Sequence, residues 1–265
     1  MEIFIPTLSR WEKIEPIKYF SENLLKNTTL VIQPHEQEQY SRYKNMVGNI
    51  MVLPSNIKTI APTREYIIKN CGQRKIFFLD DDIAISKRVA PRDWHLRYCK
   101  PEETEEMFEM LSAWMDEGFA HVGVSAREGA NRCLEDYAIN QRYMRLYGYN
   151  LKYFGNIEYN RVDGMEDFDT ALQLLKQGYP VRISYLYAQG QGASQASGGC
   201  SNWRTLEMHS ANTEKLCKLH APFVKAVEKF TKTAWGGNAK RIDPVISWND
   251  AYGYGIQHKE QLKLF

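Results

Sequence analysis

Ile76-Phe77-Phe78-Leu79-Asp80-Asp81-Asp82 is the stretch on which the reading of this chain turns. An apolar run of four leads directly into three carboxylates. Such a run reads as a strand buried on both faces, with the acids at the sheet edge where it emerges. In open α/β sheets that edge, at the carboxyl ends of the strands, is where ligands bind. If the backbone stays extended, Asp80 and Asp82 fall on one side and Asp81 on the other. Carboxylates converging on one point repel unless a cation lies between them. A hard divalent ion such as Mg²⁺ or Mn²⁺ takes oxygen ligands and bridges carboxylates to phosphates. The same segment also reads, without any function, as an acidic turn after a core strand.

Length and composition allow a sizeable core. The 265 residues suit one large α/β domain or two small ones, and 43% hydrophobic and 25% charged side chains are ordinary for a globular protein. A net charge of +2 argues against a polybasic nucleic-acid coat while leaving room for a local basic groove. No apolar run reaches the roughly 18 residues needed to span a bilayer. The start, Met1-Glu2-Ile3-Phe4-Ile5-Pro6, lacks the features of a signal peptide. The five cysteines, Cys71, Cys99, Cys133, Cys200 and Cys217, contain no CxxC pair and suit reduced thiols. The expectation is a soluble, cytoplasmic protein with no membrane partner.

Strands and helices alternate along the chain. Strands are predicted over 2–6, 29–33, 49–53, 75–79, 121–125 and 181–187. Helices are predicted over 14–25, from Pro62 to about Asn70, over 103–117 and from an N-cap at Ser201 to about Leu219. This order implies βαβ units and a mostly parallel sheet. The polar run from Gln189 to Gly199 is a candidate lid.

A second acidic cluster opens Gly164-Met165-Glu166-Asp167-Phe168-Asp169. Phe168, Ala171, Leu172 and Leu175 recur at helical spacing and Gly178 closes the segment, so the acids occupy a helix's first turn. Carboxylates there are favoured by unsatisfied N–H groups and the helix dipole alone. The functional alternative is that one of them faces a cavity as a general base. Between 127 and 159, Arg127, Arg132, Arg142 and Arg145 interleave with tyrosines including Tyr137, Tyr143, Tyr147, Tyr149 and Tyr153. Arginine clamps phosphate and tyrosine stacks on bases, which makes this a candidate acceptor groove; tyrosine-rich segments also build ordinary cores.

Together the two clusters resemble the GT-A glycosyltransferases, particularly the inverting family 2 type. Asp80-Asp81-Asp82 matches the D-x-D motif, and Glu166-Asp167 with Leu174-Leu175-Lys176-Gln177-Gly178-Tyr179 matches the E-D helix of that group. The resemblance implies one GT-A domain over 1–265: a Rossmann-like, mostly parallel sheet flanked by helices. Its nucleotide-binding half would be 1–82, its acceptor and catalytic half 83–220, and 221–265 a C-terminal segment. It also implies Asp80 and Asp82 as ligands of Mn²⁺ or Mg²⁺, with a histidine after the second acidic motif, His209 ahead of His220, as a third. Asp167 would be the base, flanked by Glu166. The nucleotide-sugar, a UDP-sugar by preference, would meet Pro6, Thr7, Arg10, Gln33, Arg64, Asp80, Asp81 and Arg204.

A narrower resemblance is to the phage-encoded TET-associated glycosyltransferases, which decorate hydroxymethylated pyrimidines in DNA. It is carried by Ala61-Pro62-Thr63-Arg64, Leu79-Asp80-Asp81-Asp82-Ile83 with Arg88, and Val124-Ser125-Ala126-Arg127-Glu128-Gly129-Ala130-Asn131-Arg132. Gly198-Gly199-Cys200-Ser201-Asn202-Trp203-Arg204 and Ile246-Ser247-Trp248-Asn249-Asp250-Ala251-Tyr252 complete it. It implies a DNA acceptor, held by Arg127, Arg132, Arg142, Arg145 and Tyr143, and a host-cell cytoplasmic setting. Three alternatives stay open: a GT-A enzyme acting on a saccharide, lipid or protein; a nucleotidyltransferase; and a non-enzymatic DNA-binding module.

Overall fold

The structure is a computed structural model that describes residues 1–130, 132–142, 144–191, 205–231 and 239–262. Its first half alternates strand and helix: β1 (Glu2–Pro6), α1 (Glu22–Lys26), β2 (Thr28–Ile32), α2 (Gln37–Tyr40), β3 (Asn49–Val52), α3 (Ile60–Asn70) and β4 (Lys75–Leu79). Then follow β5 (Ile83–Arg88), β6 (Leu96–Tyr98), α4 (Pro101–Asp116), β7 (His121–Ala126), α5 (Arg127–Ala130), β8 (Tyr137–Ile139) and β9 (Leu146–Asn150). The chain continues with α6 (Glu166–Lys176), β10 (Val181–Gln191), α7 (Leu206–His220), β11 (Val224–Thr231), β12 (Ala239–Ile246) and α8 (Trp248–Leu262).

Among the described residues one ten-stranded sheet runs β3-β2-β1-β4-β9-β7-β10-β5-β6, with β8 also on β10. Strands β3, β2, β1 and β4 are mutually parallel, as are β7 and β10. Strand β9 runs against both β4 and β7, while β5 and β8 run against β10. The α/β architecture expected from the sequence is present, with antiparallel strands inserted in its second half.

Period-two alternation fixes the two faces. Ile3, Ile5, Phe77 and Leu79 point to one side, where they pack with Phe108 and Leu111 of α4. Phe4, Ile76 and Phe78 point to the other, against Phe168, Leu172 and Leu175 of α6. Phe77 and Phe78 are fully buried, each stabilising the fold by about 1.5–3 kcal/mol relative to exposure. Gly148 of β9 lies directly opposite Phe77. A Cβ there would meet the Phe77 ring at 2.5 Å, so only glycine admits that ring.

Three expectations are corrected. The helix over 14–25 is two pieces, a 3-10 turn at Glu15–Tyr19 and then α1, because Phe20 and Ser21 are extended and the Ser21 side chain accepts the Leu24 N–H at 3.2 Å. The last helix before the C-terminal segment starts at Leu206 rather than after Ser201: Thr205 caps it by accepting the Met208 N–H at 3.2 Å. Strand β10 runs on past Tyr187 to Gln191, paired with β5, so Gln189–Gln191 belong to the sheet and not to a lid; residues 192–204 lie outside the described residues.

The 221–265 segment has its own form. Strands β11 and β12 make an antiparallel ribbon separate from the main sheet. Helix α8 packs on α6 so closely that a Cβ at Gly255 would collide with the Leu175 carbonyl.

Candidate active site

The strand containing Phe77 and Phe78 stops at Leu79, and the chain turns at Asp81 and Asp82. The turn changes the side-by-side expectation for the three acids. Asp81 and Asp82 share one partner, Arg10, whose Nη1 lies 2.6 Å from Asp81 Oδ1 and 2.7 Å from Asp82 Oδ2. Asp80 faces Arg64 instead, with Nη2 2.9 Å from its Oδ1.

Asp81 is buried and well held. Thr7 Oγ1 donates to its Oδ2 at 2.7 Å, and the Tyr40 hydroxyl meets Thr7 Oγ1 at 2.7 Å. Burial pushes the Asp81 carboxyl up to about 6 despite Thr7 and Arg10, and pushes the Tyr40 phenol up to about 12. Burial raises Asp80 as well, against the pull of Arg64.

The loop after Pro6 is pinned from the other side by Glu36, which accepts from Ser9 N at 2.8 Å and Ser9 Oγ at 3.1 Å. Ser9 sits at φ 57°, the left-handed region, and these bonds hold it there. Gln33 is buried, and its amide donates to the Ile57 carbonyl at 3.1 Å.

Arg64 links the two acidic clusters. Its Nη1 bonds Glu166 Oε1, and its guanidinium carbon lies 5.3 Å from the Tyr147 ring and 5.8 Å from the Phe78 ring. Burial raises Glu166 to about 7, with Arg64 opposing and Asp167 adding to the rise. Arg64 and Glu166 side chains are only 6% and 5% exposed, so Arg64 is a clamp between two acids, not an open phosphate ligand.

Asp167 is placed differently. It lines a shallow cleft with Gln141, Arg142, Phe168, Ala171 and Trp248. Among the described residues its carboxylate makes no hydrogen bond or ion pair, which leaves it open to a ligand. Trp248 stacks on Phe168 with centroids 6.0 Å apart and planes 11° apart. The Arg142 guanidinium lies 4.1 Å from the same Phe168 ring.

The residues suit a divalent cation in part. Asp82 Oδ1 is buried with no hydrogen-bond partner among the described residues, while its Oδ2 takes Arg10 and Gln191 Nε2, the latter at 2.6 Å. A pair of carboxylates with one unpartnered oxygen fits Mg²⁺ or Mn²⁺ that completes its shell with diphosphate and water. No group of three metal-ligating side chains is gathered among the described residues. His209 is engaged elsewhere, its Nε2 2.9 Å from Asp243 Oδ1 of β12.

The four candidate acceptor arginines do not form one patch. Arg145 comes to Asp80, whose N–H donates to the Arg145 carbonyl at 2.9 Å. Arg142 is in the Asp167 cleft. Arg127 opens α5 and lies over the Tyr98 ring at 5.9 Å, and Arg132 is exposed just beyond. Tyr143 and Arg204 lie outside the described residues. Tyr147 and Tyr149 are fully buried in β9, because that strand is covered on both faces; they build core, not groove. Arg88 spends its guanidinium on the carbonyls of Ala130, Cys133 and Leu134, so it is not available to a diphosphate.

Tyr40, Glu36, Gln191 and Trp248 were not singled out from the sequence as site residues. Each reaches the site through the fold; Gln191, in the Gly/Gln run, and Trp248, in the Ile246–Tyr252 stretch of the narrower resemblance, carried a sequence signal.

The profile of the TET-associated glycosyltransferase family matches residues 1–199. The chain belongs to that family. This TET-associated glycosyltransferase is 24% identical, over 229 residues, to a β-glucosyl-HMC-α-glucosyl-transferase of Enterobacteria phage T6; the match covers 82% of this chain and 80% of the relative. A protein of the same description from Enterobacteria phage T2 is 25% identical over 200 residues, covering 71% and 70%. Its fold is similar to glucosyl-3-phosphoglycerate synthase from Mycobacterium tuberculosis, solved in complex with Mn²⁺, UDP and glucosyl-3-phosphoglycerate. That likeness has a TM-score of 0.55 at 11% identity over 93% of this chain and 88% of that one. The chain is thus a glycosyltransferase of GT-A architecture, and no described helix is long and apolar enough to cross a membrane.

Proposed function

We propose that this glycosyltransferase moves a sugar from a nucleotide-sugar, a UDP-sugar first among them, to a hydroxymethylpyrimidine base of DNA or to a sugar already on that base. The observation that carries the reading is the open Asp167 carboxylate in a cleft, tied through Glu166 and Arg64 to the Asp80–Asp82 turn. Family membership and the phage relatives support the DNA acceptor. A saccharide, lipid or protein acceptor has no comparable support.

In this reading Asp167 takes the proton of the acceptor hydroxyl as its oxygen bonds to the anomeric carbon, and the bond from that carbon to the diphosphate breaks. Arg10, held by Asp81 and Asp82, brings positive charge to the sheet edge where the leaving diphosphate gathers negative charge. A divalent cation on Asp80 and Asp82 would add Lewis-acid stabilisation of that group. The Phe168–Trp248 stack offers the acceptor an apolar wall. A lone base of this kind supports inversion.

Retention is the second reading. The relatives from phages T6 and T2 are described as forming an α-glucosyl linkage, and an α product from an α-linked donor keeps configuration. The test is a panel of nucleotide-sugars with Mn²⁺ and hydroxymethylated DNA, scored by nucleoside diphosphate released, with the product's anomeric proton read by NMR. Release with no acceptor preference for DNA would contradict the proposal.

A further inference from the structure

The β11–β12 ribbon lies beyond residue 199, where the family match ends. Eight residues of each strand pair, from Val224↔Ile246 at the root to Thr231↔Ala239 at the tip. Among the described residues the two strands pair only with each other. Val224 at the root and Asp243 midway along β12 are buried, the latter beside His209 of α7, while the other described ribbon side chains are exposed or half-buried. At the root Val224 is buried in the same cluster as Phe168 and Met165, whereas Phe230 near the tip is 74% exposed. The ribbon packs along α7 through β12 and carries a large exposed apolar side chain, Phe230, near the end of β11.

Its root adjoins the cleft. Ser247 N donates to the Phe223 carbonyl at 2.8 Å, and the next residue, Trp248, lines the cleft beside Asp167. Helix α7 fixes the angle: Thr213 Oγ1 donates to the Ile242 carbonyl at 3.0 Å, and His209 holds Asp243.

The charge is asymmetric. Lys225, Lys229, Lys240 and Arg241 stand against Glu228 and Asp243. Asp243 meets His209, Arg241 and Lys229, the last at 3.6 Å, and Glu228 meets Lys240 at 2.7 Å. The lysines of these pairs are more than half exposed, and exposed pairs contribute little and yield readily to a phosphate. Lys225 and Lys229 lie on one face with Arg241; Lys240 lies on the other with Phe230. A two-stranded ribbon fits the major groove of a duplex; here α7 holds β12 at Ile242 and Asp243, and the exposed Lys225, Lys229 and Lys240 are the side chains placed to meet phosphates. At about 3.3 Å per residue the ribbon is roughly 23 Å long, the span of about seven base-pair steps.

From this we infer that the β11–β12 ribbon is a duplex-DNA docking arm, laid along the acceptor with its root holding the target base at the cleft. The inference rests on the DNA-acceptor reading above and adds the element that grips the duplex.

The test uses the full chain and a fluorescent hydroxymethylcytosine duplex longer than the ribbon. Two variants are compared: Phe230→Ala, and the triple Lys225→Gln, Lys229→Gln, Lys240→Gln. All four positions are exposed; a triple with arginine in place of the lysines keeps the charge as a control. The expected result is at least tenfold weaker duplex binding by the glutamine triple, with a salt slope shallower by about 2–3, near 0.9 for each phosphate no longer neutralised. The arginine triple should bind as the unaltered chain does. Nucleoside diphosphate release with the free hydroxymethylated nucleoside as acceptor should stay unchanged. If the unaltered chain grips the duplex and both variants grip it equally well, the arm is refuted and the DNA reading stands. If the unaltered chain does not bind duplex at all, both fall together. If the glutamine triple changes only self-association, the ribbon is a contact between copies of the chain and the arm is refuted.

Discussion

Arg64 and Glu166 form a buried ion pair that joins α3 to the first turn of α6, and the same guanidinium reaches Asp80 at the end of β4. One side chain therefore sets the spacing between the Asp80–Asp82 turn and the helix that carries Asp167.

Removing that clamp leaves two acids without their shared cation. Arg64→Met is expected to destabilise the fold by about 3–5 kcal/mol, the usual cost of breaking a buried pair. Arg64→Lys cannot fork to both acids and should keep more stability while losing turnover. Urea denaturation and kcat, measured on both variants, check this.

Asp167→Asn should cut the rate by a factor of about 10²–10⁴, the range for a lost general base. Donor affinity, read by calorimetry, should hold. Stability should move by no more than about 1 kcal/mol, the worth of an acid in a helix's first turn, because among the described residues the carboxylate has no hydrogen bond or ion pair to lose. A variant that turns over normally would make Asp167 only a helix-dipole acid.

Much of this was legible in the sequence. Ile76–Leu79 announced a central strand, and Phe168, Ala171, Leu172 and Leu175 announced α6, because apolar periodicity reports local geometry directly. The inserted strand β9 was not legible, since Leu146–Asn150 is tyrosine-rich and its burial comes from β4 and β7 on either side. The break at Ser21 depended on one capping bond that competes with helix propensity. In the site, the acids were plain, but which acid faced which arginine was decided by the turn at Asp81 and Asp82. The placing of Tyr40, Glu36 and Trp248 came from tertiary contacts that no spacing encodes.

The three aspartates should separate by variant. Asp82→Asn removes the charge of the carboxylate whose Oδ1 is unpartnered among the described residues, and turnover should fall by orders of magnitude with the fold intact. Asp81→Asn disturbs the bonds to Thr7 and Arg10 and should cost about 1–3 kcal/mol. Chelation of divalent ions should abolish activity, and titrating Mn²⁺ or Mg²⁺ back should restore it in the unaltered chain but not in Asp82→Asn. Turnover assays alongside thermal melts separate these effects.

Acid should loosen the molecule through Asp169 and His220. The two are buried 2.6 Å apart, with Arg161 on the same carboxylate. Burial lowers His220, outweighing Asp169, and its Nδ1 has no hydrogen-bond partner among the described residues. For Asp169, burial pushes upward, but His220 and Arg161 together hold it below the ordinary carboxylate value. Both depressed groups take protons more readily when unfolded. Their stability is full above the unfolded histidine value of about 6.5 and is lost as pH falls, first through His220 and then through Asp169. The share of the melting temperature that this pair supplies should therefore drop between neutral pH and about pH 4. The raised carboxyls of Glu166 and Asp81 act in the opposite sense, so the pair is read as the difference between the unaltered chain and Asp169→Asn. Asp169→Asn should start lower and fall less steeply.

The most direct measurement is mass spectrometry of the nucleosides from hydroxymethylated DNA after incubation with the chain, a divalent metal and a UDP-sugar. The expected result is a hydroxymethylpyrimidine nucleoside heavier by one sugar, absent with Asp167→Asn. Nucleoside diphosphate released while every DNA base keeps its mass, and a saccharide, lipid or protein gains the sugar instead, would contradict the DNA acceptor.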